Sequence, residues 1–383
     1  MNMVEYSEYR LGLLCKRFSS GKGISADLIN ETGKYPVIDG NGLRGYTDTY
    51  NFDGECAVIG RQGAYCGNVQ FFSGKGYMTE HAVVTQPNSA NNAKYLTYKL
   101  SGLSLGRFSG QAAQPGLSVT KLARLRIEMP PKWYQDRVAG ILSAYDNLIE
   151  VNNKRVKVLE LMAENLYKEW FVRFRFPGHE KADFENGIPK GWRRGRISEF
   201  YTTSSGGTPS RELDEYYVDG TIPWIKTGEL QDCLLIDTEE RITEVAVKKS
   251  SAKFFPKDSV LMAMYGVNIG MLAYSTMDAT CNQACCVFRD KGNISTKHYL
   301  FQCLKSIRDY LLLISFGAAQ QNLSQDLIKR VRIVMPDEET VIRFEQKIEP
   351  LYNEIKHLLK ANACLIRQRD LLLPRLMSGK IEV

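Results

Sequence analysis

At 383 residues, with 50 Lys and Arg against 43 Asp and Glu and a net charge of +7, the chain has room for two or more domains with cores of their own. No apolar run approaches the roughly 20 residues of a membrane span and neither end resembles a targeting signal, so a folded protein with no membrane partner is expected. Nine cysteines, an odd number without a secretory signal, argue for reduced thiols in the cytoplasm rather than a disulfide framework.

Residues 1–131 are rich in glycine, aromatics and short β-branched runs such as Cys56 to Gly60 and Val69 to Phe72, and predict a β-rich globular domain. Residues 133–172 predict one helix, in which Leu142, Tyr145, Ile149, Asn152, Val156, Leu159, Ala163, Leu166 and Trp170 alternate steps of three and four, the spacing of a coiled-coil seam. Arg173 to Gly178 ends the helix, and the polar stretch to Trp192 reads as a linker, 173–192. Residues 193–336 form a second globular block, 338–377 a second helix and 378–383 a tail. The second helix carries Ile348, Leu351, Ile355, Leu358, Asn362, Leu365, Arg369, Leu372 and Leu376 at the same spacing. At 1.5 Å per residue, each helix of roughly 38 residues is about 57 Å long.

The chain says nearly the same thing twice. Ala112-Ala113-Gln114, Leu117-Ser118, Arg124, Arg126-Ile127 and Met129-Pro130 recur 206 residues later as Ala318-Ala319-Gln320, Leu323-Ser324, Arg330, Arg332-Ile333 and Met335-Pro336. The period is far beyond the 20 to 50 residues of a solenoid, so a domain plus its helix is duplicated. Within the globular blocks Pro36-Val37-Ile38 corresponds to Pro223-Trp224-Ile225 at an offset of 187, and Gly63 and Gly67 to Gly266 and Gly270 at 203, so the second block carries extra residues in between. Loops that diverge while helices stay alike suit loops that set specificity and helices that set assembly.

Enzyme signatures are weak. Pro336-Asp337 followed by Glu345-Gln346-Lys347 matches a loose nuclease pattern, but the chemistry needs carboxylates converging on a metal. Asp337, Glu338 and Glu339 instead suit the positive end of a helix. Cys281, Cys285 and Cys286 lack a second cysteine pair or a histidine run for a zinc site, and His81, His179, His298 and His357 form no metal motif. Gly74-Lys75-Gly76 lacks the spacing of a phosphate loop, and no methyltransferase tetrad or glycine-rich cofactor loop occurs. A binding module with no catalytic residue, metal or cofactor of its own is expected.

The sequence resembles the specificity subunit of a type I restriction-modification system. The resemblance rests on Glu164 to Gly178, on Ile188-Pro189-Lys190-Gly191-Trp192 opening the second block, on Ser205 to Ser210, on Ile222 to Leu230 and on the two Ala-Ala-Gln repeats. The first block lacks the Pro-Lys-Gly-Trp lead-in. The resemblance implies an α+β fold in which two β-rich target recognition domains are joined by two long helices packed as an antiparallel coiled coil, with a pseudo-two-fold internal repeat. It implies that each domain reads half of a bipartite double-stranded DNA target. Two modification subunits, which hold S-adenosylmethionine, would dock on the spacer helices and recognition domains, and two motor-nuclease subunits, which use ATP and Mg, would join for restriction. The alternatives are the equivalent subunit of a system with fused methyltransferase and nuclease, or a coiled-coil adaptor that binds no DNA.

Base readout needs side chains that reach groove edges, on loops whose glycines let backbone approach phosphate. Asn41, Arg44, Arg61, Gln62, Tyr65 and Asn68 in the first block qualify, as do Arg211, Lys226, Thr227, Glu229, Tyr265 and Asn268 in the second. For the helices, an antiparallel pair has facing residue numbers of constant sum, and a sum of 514 sets each seam residue against another. Leu142 meets Leu372, Ile149 meets Leu365 and Val156 meets Leu358, while Asn152 faces Asn362, a polar pair able to fix register. Tyr145 meets Arg369, whose guanidinium is expected to lie over the ring.

Overall fold

The computed structural model describes residues 4–63, 65–110, 116–315, 322–381 and 383. It divides into two compact units, Met1–Glu150 with Cys364–Val383, and Val151–Ala363. The division falls inside both long helices, so each unit holds an end of each.

The first unit runs β1 (Ser7–Arg10), β2 (Cys15–Ser20), β3 (Tyr35–Asp39), β4 (Gly42–Thr47), β5 (Phe52–Gly60), β6 (Val69–Met78), β7 (Ala82–Pro87), α1 (Ala93–Ser101), α2 (Val119–Ala123), β8 (Arg126–Met129) and the start of α3 (Lys132–Tyr167). Six strands form one sheet in the order β2-β7-β5-β6-β3-β4, and β1 with β8 makes a separate two-stranded ribbon. The unbroken apolar run of β5 follows from its central place, since both faces of the sheet are covered. Ala57 and Ile59 pack toward Tyr95, Leu96 and Leu100 of α1, whereas Cys56 and Val58 pack with Ile38, Met78 and Val84 on the other face. Asn92 caps α1 by accepting from the Tyr95 N–H at 3.0 Å.

The second unit continues α3 and adds β9 (Phe184–Glu185), β10 (Ile188–Pro189), β11 (Arg193–Arg196), α4 (Ile197–Phe200), β12 (Tyr201–Ser205), β13 (Ile222–Ile225), β14 (Cys233–Leu235), β15 (Arg241–Ile242), α5 (Glu244–Lys249), β16 (Val260–Ala263), β17 (Leu272–Ser275), β18 (Thr280–Cys281), β19 (Cys285–Asp290), α6 (Lys297–Ser306), α7 (Arg308–Ser315), α8 (Gln325–Arg330), β20 (Arg332–Met335) and most of α9 (Glu338–Met377). Its strands form a five-stranded sheet, β12-β19-β16-β17-β14, a three-stranded one, β15-β13-β18, and a β11·β20 ribbon. The offsets of the sequence reappear as strand pairing. Parallel Ile38↔Met78 in the first unit has its counterpart in parallel Ile225↔Cys281 in the second. The extra residues lie between these points and include β14, which adds a parallel edge to β17.

The helix that opens at Lys132 keeps α-geometry to Tyr167 and then widens into a π-turn over Lys168–Val172. That turn sets Phe171 among Phe344, Tyr299 and Trp192, with ring centroids at 4.7, 4.8 and 5.7 Å. The stretch that reads as a polar linker is partly folded onto the same core, because Phe176, Ile188 and Trp192 are buried there.

In the second unit Val156 and Ala163 of α3 share a core with Ile348, Ile355 and Leu358 of α9. Between them Asn152 Nδ2 donates to Asn362 Oδ1 at 2.8 Å, and Asn362 Nδ2 to Asn153 Oδ1 at 2.9 Å. Asn152 and Asn362 are each only 5% exposed, and the chain of two bonds gives both buried NH2 groups an acceptor and the Asn362 oxygen a donor, where a lone amide would forfeit its desolvation energy. Arg155 meets Glu354 at 2.8 Å, so rising numbers on α3 meet falling ones on α9 and the pair is antiparallel. In the first unit Leu142 is buried with Leu376, and Tyr134 Oη donates to the Leu376 carbonyl at 3.0 Å. The guanidinium of Arg369 does not lie over Tyr145. It binds Asp146 at 2.7 Å and Asp370 at 2.8 Å, because neighbouring carboxylates offer a stronger partner than a ring face.

Candidate nucleic-acid interface

Each unit gathers three segments at one end of its sheets: the end of β3 or β13, the β5–β6 or β16–β17 loop, and the turn before β7 or β19. The central loop has the same backbone in both units. Gly67 N–H donates to the Gly60 carbonyl at 2.8 Å, as Gly270 N–H does to Ala263 at 2.8 Å. Asn68 N–H donates to Tyr65 as Met271 N–H does to Asn268, at 3.0 and 2.9 Å. Gly63 and Gly67 have φ of +80° and +87°, and Gly266 and Gly270 have +89° and +78°. Side chains with a Cβ rarely adopt this conformation, so glycine is retained at both places. From below, Leu117 N–H binds the Arg61 carbonyl and Leu323 N–H the Met264 carbonyl, each at 2.8 Å. The Leu-Ser repeat therefore docks the loop, while the Ala-Ala-Gln repeats, 112–114 and 318–320, lie outside the described residues.

The third segment is one that sequence reasoning missed. Thr79 N–H donates to the Ile38 carbonyl and Asn282 N–H to that of Ile225, both at 3.0 Å. This places Glu80 and His81 in one unit, and Asn282 and Gln283 in the other, beside these loops. The offset of 203 that relates the glycines also relates these turns, and that was the available signal.

In the first unit Asn41, Arg44, Gln62, Tyr65 and Asn68 are exposed. Among the described residues none of their side chains has a hydrogen-bond or ionic partner. Arg61 differs, since its Nε donates to the Leu117 carbonyl at 3.3 Å and braces the loop. The β3–β4 turn meets this loop at two glycines, where a Cβ on Gly60 would press on the carbonyls of Gly40 and Tyr65.

In the second unit most candidates are tied to one another. Arg211 pairs with Glu240 at 2.7 Å and stacks over Tyr217 and Trp224, at 4.5 and 5.1 Å from the ring centroids. Lys226 Nζ lies 2.9 Å from both Glu239 and Glu240. Bonding to Arg211, then Lys226, holds the Glu240 carboxyl below the ordinary range, while burial pushes that of Glu229 up. Glu229 accepts from the N–H groups of Lys226 and Glu239 at 2.9 and 3.1 Å, which commits both its oxygens. Asn268 Nδ2 donates to the carbonyls of Thr227, Gly228 and Leu230 at 3.1 to 3.2 Å, which joins the β16–β17 loop to the β13 loop. Tyr265 stands half-exposed beside Val267, which is 104% exposed at the loop tip. Val267 was not among the sequence candidates; its counterpart, Ala64, lies outside the described residues.

The enzyme-like motifs have structural partners. Asp337 caps α9, accepting from Thr340 N–H at 2.7 Å and from Trp192 Nε1 at 3.1 Å. Glu345 is buried and caps α6, accepting from the N–H groups of His298 and Tyr299 at 3.1 and 2.9 Å, with His298 Nδ1 at 2.6 Å. Cys281, Cys285 and Cys286 are buried, and burial pushes the Cys286 thiol up to about 12, well away from thiolate reactivity. Among the described residues no group of three or more His, Cys, Asp or Glu is placed to hold a metal, and no helix is long and apolar enough to cross a membrane.

Duplicated β-rich units, each with a braced loop cluster and a share of two antiparallel helices, define a recognition scaffold. Residues 3–161 and 189–361 match the family model described as type I restriction modification DNA specificity domain. The chain belongs to that family as a specificity subunit, a DNA-recognising component that is not itself catalytic. It is 27% identical over 316 residues to the MjaIX specificity subunit of Methanocaldococcus jannaschii, covering 78% of this chain and 71% of that one. It is 38% identical over 166 residues to the EcoprrI specificity subunit of Escherichia coli, covering 42% and 41%. The solved S subunit from M. genitalium shares the fold, with a TM-score of 0.68 at 15% identity over 98% of this chain and 97% of that one.

Proposed function

We propose that each loop cluster reads one half of a bipartite duplex target, and that α3 and α9 set the run of unspecified bases between the halves. The observation that carries this reading is the duplicated loop, whose hydrogen bonds and positive-φ glycines are kept while its outward side chains change. Gln62, Tyr65 and Asn68 stand where the other copy has Tyr265, Asn268 and Met271. One backbone bearing two sets of side chains suits two different half-sites. Asn41 and Arg44 extend the first reading surface, and Thr227, Tyr265 and Val267 the second. Arg61, Arg211, Lys226, Glu229 and Asn268 act mainly by holding these loops in place. The Asn152–Asn362 pair fixes the helix register and with it the separation of the readers.

In this reading two modification subunits, which bring S-adenosylmethionine, dock on the helices and recognition units in the cytoplasm. Two motor-nuclease subunits, which bring ATP and Mg, join them for restriction. Insertion of one heptad into both α3 and α9 tests the reading through the methylated motif of a host carrying the assembled system. The unspecified run is expected to lengthen with both half-sites unchanged. Altered half-sites at unchanged spacing contradict it.

A further inference from the structure

The two ribbons are built to one register and carry different charge. In the first unit Glu8 faces Glu128 and Arg10 faces Arg126; in the second Arg194 faces Val334 and Arg196 faces Arg332. Residues opposite one another, and two apart along a strand, share a face. The inward faces match, since Ile127 in one ribbon and Gly195 and Ile333 in the other are buried. The outward faces therefore hold two arginines and two glutamates in one unit, and three arginines with a valine in the other.

The first set neutralises itself. Arg126 meets Glu8 at 2.5 Å, and Glu128 acts electrostatically on Lys99. The second set does not. Arg194, Arg196 and Arg332 are exposed, as is Arg330 at the end of α8, and among the described residues none of the four has an ionic partner. The nearby carboxylates are Glu199, which accepts from the Arg196 N–H at 2.8 Å, and Glu185, which borders the same hollow as Arg194 without pairing to it. Arg193 turns to the other face and stacks over Phe200 at 5.5 Å. Two arginines directly opposite one another repel, and among the described residues no carboxylate ion-pairs with either.

We propose that the outward face of the β11·β20 ribbon, with Arg194, Arg196 and Arg332, is a contact site for the phosphate backbone of the DNA whose bases the second unit reads. The inference rests on the reading given under Proposed function. A duplex is favoured over an acidic protein surface because the ribbon is tied to the reading loop. Leu323 binds the Met264 carbonyl of that loop, and α8 leads from there to Arg330 and Arg332, at the end of the five-residue strand β12 opposite the loops and so roughly 17 Å from them. A few base pairs of backbone span that distance. Guanidinium forks match phosphate oxygens, and such contacts fix position without reading sequence.

The test is duplex binding by the full-length chain assembled with its modification subunit, measured against salt for the target found by methylome sequencing and for a scrambled duplex. Each phosphate contact contributes about 0.9 to the slope of log K against log salt. Combined Arg194→Ala, Arg196→Ala and Arg332→Ala substitution is expected to lower the slope by about 2 to 3 on both duplexes, with the methylated motif unchanged. The triple Lys variant, which keeps the charge, is expected to hold the wild-type slope and controls for folding. Arg10→Ala with Arg126→Ala is expected to lower the slope by less than about 1. A wild-type slope in the triple Ala variant overturns the proposal, and so does loss of the modification subunit in place of a changed slope. Failure of the wild-type complex to prefer its target would instead overturn the underlying reading.

Discussion

In the first unit the β5–β6 loop meets its neighbour through two glycines and sends Gln62, Tyr65 and Asn68 outward without partners among the described residues. In the second the same backbone is held by side chains: Asn268 spans three carbonyls, Glu229 two amides, and Arg211 and Lys226 enclose Glu240. Where Gly60 lets one loop press onto Gly40, the other copy has Ala263, and a web of polar contacts does the holding. One scaffold therefore holds its loops in two ways, by close backbone approach and by ion pairing. The first leaves the loop side chains uncommitted, whereas the second commits several of them and leaves Thr227, Tyr265 and Val267 at the surface.

The sharpest break of this comparison is Gly60→Ala. A Cβ there pushes on the Gly40 and Tyr65 carbonyls, a backbone clash expected to cost about 3 kcal/mol. Ala263→Gly, at the equivalent place, is expected to cost about 1 to 2 kcal/mol, the entropy of a strand glycine plus the loss of one buried methyl. Thermal unfolding of the two variants measures both, and equal losses would erase the distinction between the copies.

A smaller effect belongs to the helices. Asn152→Leu alone leaves a buried amide on Asn362 short of a partner, for about 1 to 3 kcal/mol. Asn152→Leu with Asn362→Leu is expected to recover that loss while blurring the spacing between half-sites. Denaturant unfolding gives the energies, and a double variant weaker than the single would count against the pairing.

The smallest effect is on pH. Because bonding depresses the folded pKa of Glu240 below the ordinary 4.5, its pairing stabilises above about that pH and fades as pH falls through the folded value. Glu229 has the opposite sign: burial raises its folded pKa, so its cost is present at neutral pH and is relieved on acidification. Glu240→Gln is therefore expected to cost at most about 1 kcal/mol at pH 6, with the difference from the parent shrinking below pH 4.5. A difference that stays constant down to pH 3 would remove the ion pair from the account.

Much of this architecture could be read from the chain because strands and helices repeat with fixed periods. The offsets of 187 and 203 marked the two blocks as copies of one fold, and the seam of threes and fours placed Asn152 opposite Asn362. Side-chain commitments were harder to read. Glu229 finds its second amide at Glu239, and Asn268 finds its carbonyls some 40 residues away. Nothing local in the sequence announces such partners. The Tyr145–Arg369 stack failed for a related reason, since the adjacent Asp146 captures the guanidinium. Strand register was needed to add Arg194 and Arg196 to the face that holds Arg332.

The central claim, two readers on one chain, is tested most directly by methylome sequencing of a host carrying the modification subunit with and without this chain. A methylated motif is expected only with the chain, made of two short specified half-sites at a fixed separation, of which exchanging residues 61–68 for another loop alters one half alone. A contiguous motif, or a loop exchange that alters both halves or neither, would contradict it.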